Sequence, residues 1–272
     1  MKPSERSQRN QAGMGLFTVG LSVCAISCGG VEGVALPDAM SSNDAAVDAG
    51  AQPVRYADTV VAAPGATGVG FGDADAAVNG VLGGGQNNGS TDVYSLRFAP
   101  ALNTSITLRW ANATLANGPG EDFAVFENGF DTNVGPFMDL LVVEVSRDGV
   151  QWRALAHDYV TANELSYVRD RTAWRGFAGK TPVLLNDQTK PVNPFDRLAA
   201  GGDGFDLDTI VDEGRGVDVE AVAMRRDGIV MIRLTTAPSR ENPDTGQPYV
   251  FDSYSNGADI DGVAGRYVTD IP

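Results

Sequence analysis

Cysteine and histidine are nearly missing from this chain. It has two cysteines and one histidine in 272 residues. Both cysteines, Cys24 and Cys28, fall near the start, so residues 29–272 carry no thiol. That excludes a disulfide framework and thiol catalysis for the bulk of the chain. It also argues against zinc, which draws on several Cys or His ligands. A Ser-His-Asp triad would depend on His157, and no nucleophile-elbow motif is present. His157 itself is expected to be an ordinary surface residue. The glycine-rich stretch 83–90 lacks the Gly-Lys-Ser/Thr ending of a phosphate loop.

Positive charge is scarce as well. Twenty basic side chains face 35 acidic ones, a net charge of −15. Without residues 1–27, which hold Lys2, Arg6, Arg9 and Glu5, the remainder stands at −17. Such a surface repels phosphate backbones, so nucleic acid is not an expected partner.

Long apolar runs are absent beyond residue 27, where a membrane helix would need about 20 apolar residues. What is present instead is a basic start, a short apolar run over 12–26, and then Ala25-Ile26-Ser27-Cys28. This order fits a secretory leader. Its end resembles a bacterial lipobox, in which Cys28 is lipidated and becomes the first residue after cleavage; alanine stands where the pattern usually has leucine. Val23 is too large to precede a cut before Cys24. The alternative is an ordinary secreted protein in which Cys28 is incidental. The expected organisation is a signal peptide over 1–27, a lipidated cysteine with a flexible tether over 28–52, and one domain over 53–272. Two or three acyl chains, as lipoproteins of this kind carry, hold a protein more firmly than a single chain does. Gly29-Gly30 after the cysteine lacks the aspartate that resembles an inner-membrane retention signal, which points to the outer membrane or cell surface.

Glycines and prolines punctuate short apolar runs throughout 53–272, and helical periodicity is scarce. Strands are predicted at 60–63, 93–98, 106–110, 123–127, 140–146, 150–155, 217–224 and 229–235. A tight turn is expected at Arg226-Asp227-Gly228, and short helices near 163–168 and 205–211. The predicted fold is all-β, a single jelly-roll-like β-sandwich with short helices in its loops.

The sharpest local motif is Val143-Glu144-Val145-Ser146-Arg147-Asp148-Gly149-Val150-Gln151-Trp152. It predicts a hairpin turning at Asp148-Gly149, with Trp152 buried on the return strand. The segment resembles the strand, SxDG, strand-with-tryptophan signature of discoidin-like and carbohydrate-binding jelly rolls. A broader likeness begins at Asn117-Gly118-Pro119-Gly120-Glu121-Asp122-Phe123-Ala124-Val125-Phe126-Glu127-Asn128. It continues through the hairpin to Gly201-Gly202-Asp203-Gly204-Phe205-Asp206-Leu207, and less closely to Gly257-Ala258-Asp259-Ile260-Asp261-Gly262-Val263. Over about 117–263 the chain resembles a family of bacterial cell-surface lipoproteins and exported proteins. The resemblance implies export and display and assigns no ligand.

Acidic residues cluster in expected loops: Asp73 and Asp75, Glu121 and Asp122, Asp203, Asp206 and Asp208, Asp259 and Asp261. Calcium takes oxygen ligands from flexible loops, so a structural calcium site among Glu121, Asp122, Asp203, Asp206, Asp208, Asp259 and Asp261 is a candidate. Solvated loops and helix caps explain the same pattern, Asp203 being a good cap candidate. Trp174, Tyr249 and Tyr254, with Phe130, fall in expected loops and are candidate sugar-stacking residues; Trp110 and Trp152 are expected in the core.

The sequence therefore points to a lipid-anchored, surface-displayed, non-catalytic binding or structural protein, calcium-stabilised and carbohydrate-recognising in its fullest form. Its partners would be a membrane, through lipid, and a glycan or envelope component. Two alternatives stand beside it. One is a secreted hydrolase acting on polysaccharide, since two carboxylates suffice for glycoside cleavage; the other is a structural envelope protein without a soluble ligand.

Overall fold

Runs rich in Val, Ile, Phe and Thr, broken by glycine turns, form ten strands in two five-stranded antiparallel sheets. The computed structural model describes residues 53–65, 67–98, 103–214 and 216–271, within the unit Ala49–Pro272. The expected leader, Cys28 and the tether over 28–52 lie outside the described residues. In chain order the strands are β1 (Arg55–Tyr56), β2 (Thr59–Ala62), β3 (Tyr94–Arg97), β4 (Ser105–Arg109) and β5 (Phe123–Glu127). They continue with β6 (Leu141–Ser146), β7 (Arg153–Ala154), β8 (Asp203–Phe205), β9 (Met231–Thr236) and β10 (Gly257–Gly265).

The first sheet is built on β10, which pairs with β1 and β3 and with β5; β8 completes the far edge on β5. The second sheet runs β7-β6-β9-β4-β2. Alternate residues of both sheets enter one core. Ile106 and Leu108, Val143 and Val145, and Ile232 and Leu234 meet Leu96, Phe123, Val125, Ala258, Ile260 and Val263. The fold is all-β, as predicted.

Several expectations are corrected. Residues 217–224 form no strand but begin the helix Val219–Asp227. Asp218 caps it by accepting from the amides of Glu220 and Ala221, and strong helix formers follow. Arg226-Asp227-Gly228 is accordingly that helix's end, with Gly228 at the left-handed position that closes it. Residues 163–168 are turn rather than helix, and 205–211 hold only the single 3₁₀ turn Leu207–Thr209. Asp203 lies in strand β8 and caps nothing; Asp206 caps that turn instead.

The largest omission is β10. Asp259-Ile260-Asp261-Gly262 looks like a loop by composition, yet it is the centre of a nine-residue strand. A bulge between Ile260 and Gly262 resets the alternation, so that Ile260 and Val263 both reach the core. The strict period of two that marks a half-buried strand is thereby lost.

The outer faces differ in how they are covered. Phe126, Ala124 and Ala264 of the first sheet pack under Val183, Leu185 and Phe195. On the second, Val142 packs into an aromatic cluster of Tyr159, Trp174, Phe177 and Tyr249. The polar positions Glu144, Arg233 and Thr107 lie on the same outer face as Val142, further along the sheet.

Candidate functional site

That polar part of the second sheet carries a cleft of about 450 Å³, bordered by Trp152, Arg233, Asp148, Asn103, Thr107 and Met231, among others. Its geometry begins in the hairpin. Ser146 Oγ accepts from the amides of Asp148 (3.2 Å) and Gly149 (2.8 Å). Asp148 Oδ1 accepts from Val150 and Gln151, each at 2.8 Å. Those four amides are withdrawn from the ladder, and Gly149 adopts a left-handed φ of 75°. The return strand is therefore cut to Arg153–Ala154, paired with Val145 and Glu144. Amide donation also holds the exposed Asp148 carboxyl below its usual pKa.

This loop corrects the placement of Trp152. It is half-buried on the outer face rather than sunk in the core, with Nε1 donating to Gly149 O at 3.1 Å. The Arg233 guanidinium lies 4.1 Å from its ring centroid, a cation–π stack. Glu144 fixes that guanidinium along its edge, accepting from Nε at 2.9 Å and Nη2 at 2.8 Å. Arg240 Nη2 (2.6 Å) and Thr235 Oγ1 (2.8 Å) also donate to Glu144. Burial pushes the Glu144 carboxyl up, but the bonds and charges of Arg233 and Arg240 outweigh it and hold the group below its ordinary range. Glu144 thus answers two cations at once, and Asp148 on the rim of the cleft adds a second negative charge beside them. Arg233 Nη1 has no hydrogen-bond partner among the described residues.

The other stacking candidates fare differently. Trp174 is 0 % exposed, its ring stacked 3.6 Å from Tyr159 and its Nε1 bonded to Val168 O. It presents no free face and is a core residue. Tyr249 is also buried, against Phe177, and borders a more apolar cleft of about 340 Å³ with Tyr167 and Pro238. Tyr254 is 87 % exposed, with Arg169 5.9 Å from its ring. Phe130 stacks on Phe137 in a two-stranded ribbon. Trp110 is in the core, as expected. His157 is half-buried, its Nδ1 2.8 Å from Leu155 O.

The acidic candidates do not converge on one point. Glu121 pairs with Arg197 at 3.4 Å. Asp122 is fully buried and accepts from the amides of Gly118 and Leu207, each at 2.7 Å. Burial nevertheless raises its pKa to about 6. Asp206 caps a turn, and Asp208 accepts from Asn117 Nδ2 at 2.8 Å. Asp203 is held by Lys180 N and Thr181 Oγ1, both at 2.9 Å. These four aspartates and Glu121 have protein partners for their charge. Asp261 is buried with one oxygen on Leu82 N (2.8 Å) and Oδ2 unpaired; burial lifts its pKa to about 7. Among the described residues no three His, Cys, Asp or Glu side chains are grouped to hold a metal.

Two carboxylates that the sequence did not single out stand apart from these. Glu127 ends β5 and Asp139 precedes β6; they are 2 % and 4 % exposed. Glu127 Oε1 accepts from Asp259 N at 3.0 Å, while Glu127 Oε2 and Asp139 Oδ1 have no partner. Burial first, then mutual repulsion and the charge of Asp259, pushes the Glu127 carboxyl well above its usual range. Burial also raises Asp139, with Asp259 and Asp252 adding to the effect.

Comparison with protein-family models, curated proteins and solved structures found no match. The likeness to surface lipoproteins therefore rests on the quoted motifs alone. Among the described residues no helix is long and apolar enough to cross a membrane.

Proposed function

We propose that this protein is an exported, lipid-anchored surface domain that recognises carbohydrate without cleaving it, using the cleft at Trp152 and Arg233. The observation that carries the ligand reading is the Trp152–Arg233–Glu144 assembly. Sugars present flat C–H faces and rings of hydroxyls, and sites for them combine a half-exposed aromatic with fixed polar groups. Trp152 offers the apolar surface, Arg233 a fixed donor, and Asp148, Asn103 and Thr107 surround them with carboxylate, amide and hydroxyl partners. The second sheet supplies a rigid floor, so little ordering is needed on binding. Lipid attachment at Cys28 and display at the outer membrane are supported by the leader-like N-terminus.

Polysaccharide pull-down with the full-length protein tests the reading, with Trp152→Ala as control. Binding by the parent and loss of it in the variant are expected. No retention on any glycan of a broad array would sink the carbohydrate reading and favour an envelope component. Release of reducing sugar from a bound polysaccharide would favour the hydrolase instead. Mass spectrometry of the mature N-terminus tests the anchor: an unmodified Cys28, or cleavage elsewhere, removes it.

A further inference from the structure

We propose that the protein binds one divalent cation of calcium's size between Glu127 and Asp139, using their unpaired carboxylate oxygens and neighbouring backbone carbonyls. The site stands on different residues from the Trp152 cleft and does not depend on what that cleft binds.

Three observations support it. First, both side chains are more than nine-tenths buried, and each has an oxygen without a partner. An isolated buried carboxylate is costly, and two side by side are costlier still. Two other buried carboxylates are neutralised by arginines. Asp252 takes Arg169 at 2.9 and 2.6 Å, and Glu144 takes Arg233 and Arg240. No ion pair among the described residues reaches Glu127 or Asp139.

Second, further oxygens gather there because two glycines let the backbone come close. A methyl group on Gly179 would lie 2.2 Å from Asp139 O and 3.2 Å from Glu127 Oε2. One on Gly129 would lie 3.3 Å from Phe137 O, 3.4 Å from Gly179 O and 3.5 Å from Glu127 Oε2. The Gly179 segment is itself pinned, since Asp203 binds the amide of Lys180 and the hydroxyl of Thr181.

Third, the donors are all oxygen. Two carboxylates with carbonyls and water suit calcium's large and flexible shell, whereas softer metals prefer nitrogen or sulfur. Only two side-chain carboxylates are needed, so the absence of a three-residue cluster does not conflict with the site.

Thermal unfolding and terbium luminescence of the full-length protein test this. Calcium at about 10 mM exceeds the roughly 10⁻⁴–10⁻³ M dissociation constants of extracellular calcium modules. The unfolding midpoint should rise in that buffer relative to EDTA. The double variant Glu127→Gln/Asp139→Asn should lose the rise, yet be at least as stable as the parent in EDTA, because the buried charges are gone. Asp206→Asn/Asp208→Asn should keep it. Terbium emission excited through tyrosine and tryptophan should titrate to one ion per chain and be displaced by calcium, which reads binding without any variant. An unchanged parent midpoint together with no terbium binding overturns the proposal. So does a calcium response that survives in the Glu127/Asp139 variant or disappears in the Asp206/Asp208 variant.

Discussion

Arg233 is held between two partners of opposite kind, the Trp152 ring 4.1 Å from its guanidinium and the Glu144 carboxylate at 2.8–2.9 Å. The stack is outside the core, so its worth is modest. Trp152→Ala should cost about 1–2 kcal/mol in stability, the range of a cation–π contact with some desolvation. It should also abolish glycan retention in pull-down. Full binding by a correctly folded variant would remove Trp152 from the site.

Glu144 sits below two arginines, and its loss strands both. Glu144→Ala should destabilise more than Trp152→Ala, by about 3 kcal/mol, because a partly buried cation pair loses its counter-charge. The wild-type contribution has a defined pH course. The folded carboxyl lies below its unfolded value, so its stabilisation is present above the unfolded pKa and fades as pH falls through the folded one. Urea unfolding of parent and Glu144→Gln across acidic pH checks this. Parallel curves would contradict it.

Trp174 and Trp152 should respond oppositely. Trp174 is enclosed by Tyr159, Tyr167 and Phe177. Its replacement by alanine should cost about 3–5 kcal/mol through lost contacts and a cavity. Where enough Trp174→Ala protein folds, glycan binding should persist. Equal destabilisation by the two substitutions would contradict the assignment of one to the core and the other to the surface.

Asp261 penalises the fold when ionised. Its folded pKa, raised to about 7, exceeds the unfolded one, so the native state binds more protons between the two values. Stability attributable to this group therefore falls as pH rises from about 4 to 7. Asp261→Asn keeps an oxygen for Leu82 N and removes the charge. It should raise the melting temperature at pH 8 and change it little at pH 4, as read by calorimetry. Equal shifts at both pH values would show that ionisation of Asp261 has no part.

Gly201 turns the chain into β8 with φ 66°, and a methyl there would lie 1.8 Å from Pro182 O. Gly201→Ala thus combines a disfavoured backbone conformation with a clash against backbone, costing more than about 1 kcal/mol. Chemical denaturation that finds it neutral would mean that this loop rearranges freely.

Most of the strands were written in local sequence. The runs 106–110, 123–127, 140–146 and 229–235 are apolar or alternating stretches bounded by turn residues, and each forms a strand within a residue or two of its expected place. The hairpin at 143–154 was equally local, because Ser146 and Asp148 bind the amides of their own turn. The absence of thiols beyond Cys28 and the acidic charge likewise belong to the sequence alone. Only the tertiary structure decided where charge and rings end up. The bulge at Asp261 hid β10, and a cap at Asp218 turned an apparent strand into a helix. The expectations for the two tryptophans are exchanged: Trp174, expected in a loop, is enclosed by Tyr159, Tyr167 and Phe177, and Trp152, expected in the core, rests under an arginine 81 positions later. Glu127 drew no notice as the end of an apolar strand. Its significance comes from Asp139, Gly129 and Gly179 closing around it, and long-range burial of this kind leaves no periodic trace in the chain.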